Sequence, residues 1–255
     1  MRELYTILLA ERGSVTYGIE ITPEEAQSYG LKPSDADYMR IVMAPLEWVL
    51  SVRDLPQAAN YKEPHDEEVH ELRHFIHLCT KANPNILECL AVDERHLKVL
   101  TEEGRKLREN IHVFLNKRPV RAAYLGYTQQ QVKRYLLPES GGATAERRKL
   151  ATRLGYDGKA AAHAVRLLIQ GTGILETGEL RVHLGEHAPF VKDIRLCKFS
   201  KEEVLGFIAD WEERLKAAYD QSPLPEEPNP DEIDALYRSV LGLRYLALRR
   251  ECLSL

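Results

Sequence analysis

Cysteine is scarce in this chain. Cys79, Cys89, Cys197 and Cys252 are scattered through 255 residues, and no two form a C-x-x-C pair. That spacing excludes a zinc ribbon and a disulfide framework, and it indicates a reducing compartment. No apolar run approaches the length of a membrane span. The opening MRELYTILLAERGS has too short an apolar run and too many charges for a signal peptide. The expectation is a cytoplasmic protein with no membrane association. Internal repeats and low-complexity tracts are also missing, and no Ser-His-Asp or Cys-His arrangement can be argued from spacing.

What is present is ordinary in bulk and uneven in detail. Apolar residues make up 44% of the chain, enough for one large or two modest cores. The formal net charge is −4. Between Lys117 and Gln170, however, eleven Lys/Arg face three acids, so this stretch carries +8 and the remainder −12. A basic middle beside an acidic first third is what a site handling polyphosphate or nucleic acid needs. A solvated helical face would give the same count.

The pattern predicts strands at Leu4–Ala10 and in DYMRIVMAP, where Met39, Ile41 and Met43 alternate with Tyr38, Arg40 and Val42. EVHELRHFIHLCTKA takes helical spacing through Leu72, Phe75, Ile76 and Cys79. Asn83 and Pro84 then open another helix. Further helices are expected near 119–136, 144–154, 158–170, 200–219 and 231–250, with a short strand in GELRVHL. The reading is α+β with a boundary near residue 118. A unit over 1–118 is followed by a mainly helical one over 119–255.

Two short motifs carry chemistry. Residues two apart on a strand share a face, so a strand starting near Ser34 points Asp35 and Asp37 into one cleft. Adjacent carboxylates repel unless a cation lies between them, and Mg²⁺ is held by one or two carboxylates plus substrate phosphates. Pro33, Ser34 and Asp35 are equally the residues of a plain turn. Gly13-Ser14 follows the first strand, as would a turn whose backbone N–H groups and hydroxyl grip a phosphate. Gly-Ser is also a common loop.

Taken together, GSVTYG, PSDADYMRIVMAP and VHELRHFIHLCTKANPNILECL resemble the DNA polymerase β-like nucleotidyltransferases. More narrowly, they resemble the predicted nucleotidyltransferases associated with RNA-repair ligases. The likeness rests on Gly13-Ser14, Tyr17-Gly18, Ser34 through Asp37, Glu71 through Phe75 and Asn83 through Glu88. It continues through YDGKAAAHAVRLLIQGTGILETGELRV and SPLPEEPNPDEI. The resemblance implies a palm, a small mixed sheet with helices, followed by a mainly helical C-terminal domain completing the cleft. Gly13, Ser14 and Ser34 would hold the triphosphate of an NTP. Asp35 and Asp37 would hold Mg²⁺ or Mn²⁺ with a third acid from a later strand. Glu71 fits the matched segment best, and Asp66 and Glu68 compete with it. NMP would pass to a hydroxyl, with an RNA end as the expected acceptor and an RNA ligase as a functional associate; the alternatives are a protein or small-molecule hydroxyl, or a regulatory nucleotide-binding module without turnover. The chain departs from the family in IEITPEEAQSYGLKP, which is longer than the usual gap and implies an inserted lobe.

The second half adds a polar stripe. Lys159, His163, Arg166 and Gln170 fall within about 60° of one helical face, on a helix otherwise apolar nearly all round. The preferred expectation is that Lys159 and Arg166 neutralise nucleotide phosphates, with His163 donating nearby. Alternatively the stripe satisfies neighbouring carbonyls and acids. His70, His74 and His77 share a possible zinc-binding face, but Glu71 and Arg73 interrupt it. GTGILETG reads as a helix end and turn, and the role of GGATAERR is open.

Overall fold

The computed structural model describes residues 1–52, 54–137 and 151–253. It divides into two compact units. The first comprises Met1–Thr16, Asp35–Asn116 and Glu227–Leu255, and the second Tyr17–Ser34 and Lys117–Glu226. The division departs from a single cut at residue 118. The C-terminal helix joins the first unit, while Tyr17–Ser34 leaves it for the second.

The first unit is built on a five-stranded mixed sheet of β1 (Tyr5–Arg12), β2 (Asp37–Met43), β3 (Ala58–Tyr61), β4 (Asp66–Glu71) and β5 (Leu97–Leu100), in the order β3-β4-β2-β1-β5. β2 is central, antiparallel to β1 and parallel to β4. Ile7, Leu8, Met39, Ile41, Val42 and Val69 are fully buried and form the apolar centre of the sheet. Helices Leu72–Cys79, Pro84–Ala91 and Glu102–Glu109 pack on the sheet through Leu72, Phe75, Leu87 and Leu107. The closing helix Pro230–Leu253 lies against the first and third of them.

The run expected to be helical from Glu68 is strand as far as Glu71, and the helix starts only at Leu72. Long-range pairing decides this. β4 hydrogen-bonds to β2 and β3, and Glu67 is buried between Arg2 (2.6 Å) and Arg40. A sequence full of Glu and His does not advertise such a partner.

The second unit is organised around the helix Gly158–Thr177. Helices Lys117–Gln131, Ala188–Arg195 and Lys201–Gln221 pack against it. Its Ala160, Ala161, Ala162 and Ala164 are buried, and small side chains let neighbouring helices approach closely. Asp157 accepts a hydrogen bond from the Ala160 N–H at the start (2.9 Å), and Gly178 ends the helix in left-handed geometry. GTGILET therefore belongs to the helix, and Gly178–Leu184 is not a strand but an irregular segment after the cap. The expected helix over 144–154 falls largely outside the described residues, and GGATAERR wholly so. No described helix is long and apolar enough to cross a membrane.

The segment Tyr17–Ser34 is an integral part of the second unit. Its helix Pro23–Tyr29 starts with a capping box between Thr22 and Glu25. Ile21 and Ala26 pack on Leu196, and Lys192 pairs with Glu25 at 2.8 Å. The Arg195 guanidinium donates to the Ile19 carbonyl (2.8 Å) and to Ser34 Oγ (3.2 Å).

Candidate functional site

Gly13 turns the chain at the end of β1. Its φ of +91° is a conformation that an L side chain resists. Its carbonyl accepts from both the N–H and the hydroxyl of Thr16 (3.0 and 2.8 Å), which fixes the turn carrying Ser14. The same turn stands against Asp37, the first residue of the neighbouring strand. A methyl group placed on Gly13 would lie 3.5 Å from Asp37 Oδ2. The β1–β2 register, which pairs Arg12 with Asp37, brings these motifs together across 24 residues of sequence.

Sheet geometry decides which other acids share the face. Paired residues on neighbouring strands project to the same side, and the side alternates along each strand. Asp37 pairs with Asp66, and Met39 with Glu68. Glu68 and Asp66 therefore share the side of Asp37 and Arg12. Glu71 pairs with Val42 and points to the opposite side.

The expectation for Glu71 is corrected accordingly. Its carboxylate accepts from the Arg73 N–H at 2.7 Å and caps the following helix, and burial raises its pKa. Glu68 is the acid whose contacts belong to the Asp37 face. Arg12 Nη1 lies 2.6 Å from its Oε2, and His70 Nε2 lies 2.9 Å from its Oε1. The His70 contact, opposed by burial and helped by Arg12, holds the Glu68 carboxyl down at about 2. His70 is itself buried on the strand and stacks on His74 at 5.7 Å, an arrangement that breaks up the three-histidine face.

Asp35 is exposed and precedes β2, which starts at Asp37 and not near Ser34. Among the described residues, no three His, Cys, Asp or Glu side chains are grouped to hold a metal ion. Asp37 and Glu68, on one face of the sheet, offer the oxygen donors that a hard divalent ion takes, and such an ion needs only one or two carboxylates when phosphates supply the rest.

Ser34 and the polar stripe are placed in the second unit. Ser34 Oγ accepts from the Ile21 N–H (2.9 Å) as well as from Arg195, so it latches the Tyr17–Ser34 segment to its own unit. Arg166 is fully buried, not presented to solvent. Its guanidinium lies 4.0 Å from the centre of the Tyr17 ring, donates to Gln170 Oε1 (2.6 Å) and meets His163 Nδ1 (3.1 Å). Gln170 in turn donates to the Val182 carbonyl at 3.1 Å. These contacts match the alternative of internal satisfaction, against a phosphate-binding role for Arg166. His163 is half-buried and Lys159 exposed.

Much of the positive charge after residue 117 is likewise used internally. Lys117 and Arg118 pair with Glu226, Arg121 stacks on Tyr219, and Arg153 donates to the Tyr29 and Gly30 carbonyls. Lys133, Arg134 and Lys159 are exposed, with Arg134 over the Tyr135 ring, while Arg147, Arg148 and Lys149 lie outside the described residues. A cavity of about 330 Å³ in the first unit is unrelated to the Gly13–Asp37 turn. It is lined by Tyr5, Met43, Leu241 and Arg244, where β1 begins and β2 ends.

The five-stranded mixed sheet with its packed helices is consistent with a polymerase β-like domain. Over residues 3–239 the sequence matches the RNA repair pathway DNA polymerase beta family, and the chain belongs to that family. No curated protein and no solved structure matches the chain. Membership points to a nucleotidyltransferase role in RNA repair.

Proposed function

We propose that the Gly13–Asp37 face of the first unit is a metal-dependent nucleotidyl-transfer site, moving NMP from an NTP to the hydroxyl of an RNA end. The observation that carries this reading is the close approach of the Gly13 turn to the Asp37 carboxylate, set by the β1–β2 register. It joins a phosphate-gripping backbone to a metal-binding acid, the two halves such a site requires. Asp37, Asp35 and Glu68 would hold Mg²⁺ or Mn²⁺, which supplies activation of the attacking hydroxyl and charge stabilisation on departing pyrophosphate. The Gly13 turn orients the triphosphate, with the Ser14 hydroxyl donating to it. Glu68 occupies the third-acid position in this reading, which weighs against a binding module that kept the fold and lost turnover.

The RNA acceptor is supported by the family match. The structure lends it less weight than the composition does, because several of the basic residues are engaged within the second unit. The test offers each α-labelled NTP with Mg²⁺ or Mn²⁺ to short RNAs of defined ends, and separately with no added acceptor. Label on RNA supports the proposal. Label on the protein alone transfers the reading to a protein hydroxyl, and label nowhere overturns the RNA assignment.

A further inference from the structure

Arg12, the last residue of β1, reaches across the central strand of the sheet. It pairs with Asp37 on β2, yet its guanidinium meets Glu68 on β4, which pairs with Met39. The side chain therefore lies over β2 beside Asp37, on the same face. Both Glu68 oxygens are engaged, Oε2 by Arg12 at 2.6 Å and Oε1 by His70 at 2.9 Å. The Arg12 and Glu68 side chains are 30% and 27% exposed, so the pair is neither sealed in the core nor loose on the surface. Asp37 and Glu68 repel one another unless something positive lies between them. On this face Arg12 is the cation that meets Glu68, and its strand register sets it beside Asp37.

We propose that Arg12 is the resident counter-cation of this face. It holds Glu68 until a divalent ion arrives, yields Glu68 to the ion, and then turns to the phosphate oxygens of the nucleotide. The inference rests on the proposed nucleotidyl-transfer site. A guanidinium bonded to Oε2 and a divalent ion coordinated by that oxygen would bring like charges into contact, so the two arrangements exclude one another. Once released, Arg12 immediately precedes the Gly13-Ser14 turn. Its planar fork matches phosphate oxygens in a way that a lysine does not.

The two roles shift two affinities in opposite directions. In Arg12→Gln, Mn²⁺ binding without nucleotide, read from the paramagnetic resonance signal of free Mn²⁺, tightens about two- to fivefold, as expected for loss of a partly exposed ion pair. Binding of a non-hydrolysable NTP analogue with Mg²⁺ weakens about tenfold. In a Glu68→Gln background, Arg12→Gln leaves Mn²⁺ affinity unchanged, because the competition runs through Glu68. Circular dichroism checks folding. If Arg12→Gln does not fold, Arg12→Lys is the second variant, with both shifts in the same directions but smaller.

Mn²⁺ affinity that is unchanged or weaker in the folded Arg12 variant overturns the proposal. So does tightening that persists in the Glu68→Gln background, since that would be a general field effect. Asp37→Asn separates the two readings. Mn²⁺ binding indifferent to Asp37→Asn overturns the site itself and this proposal with it. Binding that needs Asp37 but ignores Arg12 overturns this proposal alone.

Discussion

Glu68 and Glu71 lie three residues apart on β4, and the register with β2 turns them to opposite faces of the sheet. Glu68 shares the face of Asp37, whereas Glu71 caps the helix that follows. Their neutral variants should therefore fail differently. Glu68→Gln is expected to lower nucleotidyl transfer at least a hundredfold, about 2.7 kcal/mol of transition-state stabilisation, with circular dichroism unchanged. Glu71→Gln should keep most of the transfer and lose about 1 kcal/mol of stability with the weakened cap. Urea titration and a transfer assay on both variants check this.

Arg166 makes a prediction of the opposite kind. Buried on Tyr17 and bonded to Gln170, it supports the interior of the second unit. Arg166→Ala should destabilise the protein by about 3 kcal/mol, through a large void and broken hydrogen bonds. NTP affinity at a temperature where the variant is folded should change little. Calorimetric melting and nucleotide titration decide the matter. A selective loss of affinity with normal melting would return Arg166 to the phosphates.

Gly18 tests why a Tyr-Gly pair stands where it does. Its φ is +75°, and an added methyl would lie 2.4 Å from His183 Nε2. Gly18→Ala should cost about 2 kcal/mol from backbone strain and overlap combined. Adding His183→Ala removes the overlap and leaves the strain, so the double variant should recover part of the loss. Urea midpoints of both single variants and the double variant complete the cycle.

Acid sensitivity is predicted at Glu226. The Tyr219 hydroxyl at 2.6 Å, followed by Lys117, holds its carboxyl down at about 2. A carboxyl depressed in the folded state contributes stability above its ordinary value near 4.5, and that contribution fades as pH falls toward 2. Wild type should exceed Glu226→Gln in melting temperature at pH 6, and the two should converge between pH 4.5 and 2.

These sites differ in how legible they are in sequence. β1 and β2 are clear because Ile7, Leu8, Met39 and Ile41 are apolar and lie on β-favouring runs. The approach of Gly13 to Asp37 follows from pairing those two strands. β4 is obscured. Asp66–Glu71 is almost wholly polar, and the helical spacing of Leu72, Phe75, Ile76 and Cys79 invites extending the helix backwards. Only parallel pairing with β2 fixes the strand, and with it the face of each acid. The alternation of Glu67, buried with Arg2 and Arg40, against Glu68, bonded to Arg12, is the signal that was available.

Chain topology hides the remainder. Tyr17–Ser34 looks like an insertion after the Gly13-Ser14 turn, yet Ile21, Ala26 and Ser34 take their partners from residues 195 and 196. The C-terminal helix is amphipathic wherever it docks, so its sequence does not indicate that Tyr237 meets Arg73 or that Arg244 covers Tyr5. The basic count from Lys117 to Gln170 is real, but a count does not reveal that Lys117 and Arg118 are held by Glu226.

The proposed reaction is transfer of the α-phosphate at the Gly13–Asp37 face. The most direct measurement compares α-labelled with γ-labelled NTP, using wild type and Asp37→Asn with Mg²⁺ and a defined RNA end. Wild type should place α-label on the RNA and γ-label in pyrophosphate, with both lost in a folded Asp37→Asn variant. Transfer that survives Asp37→Asn, or γ-label on the RNA, would contradict it.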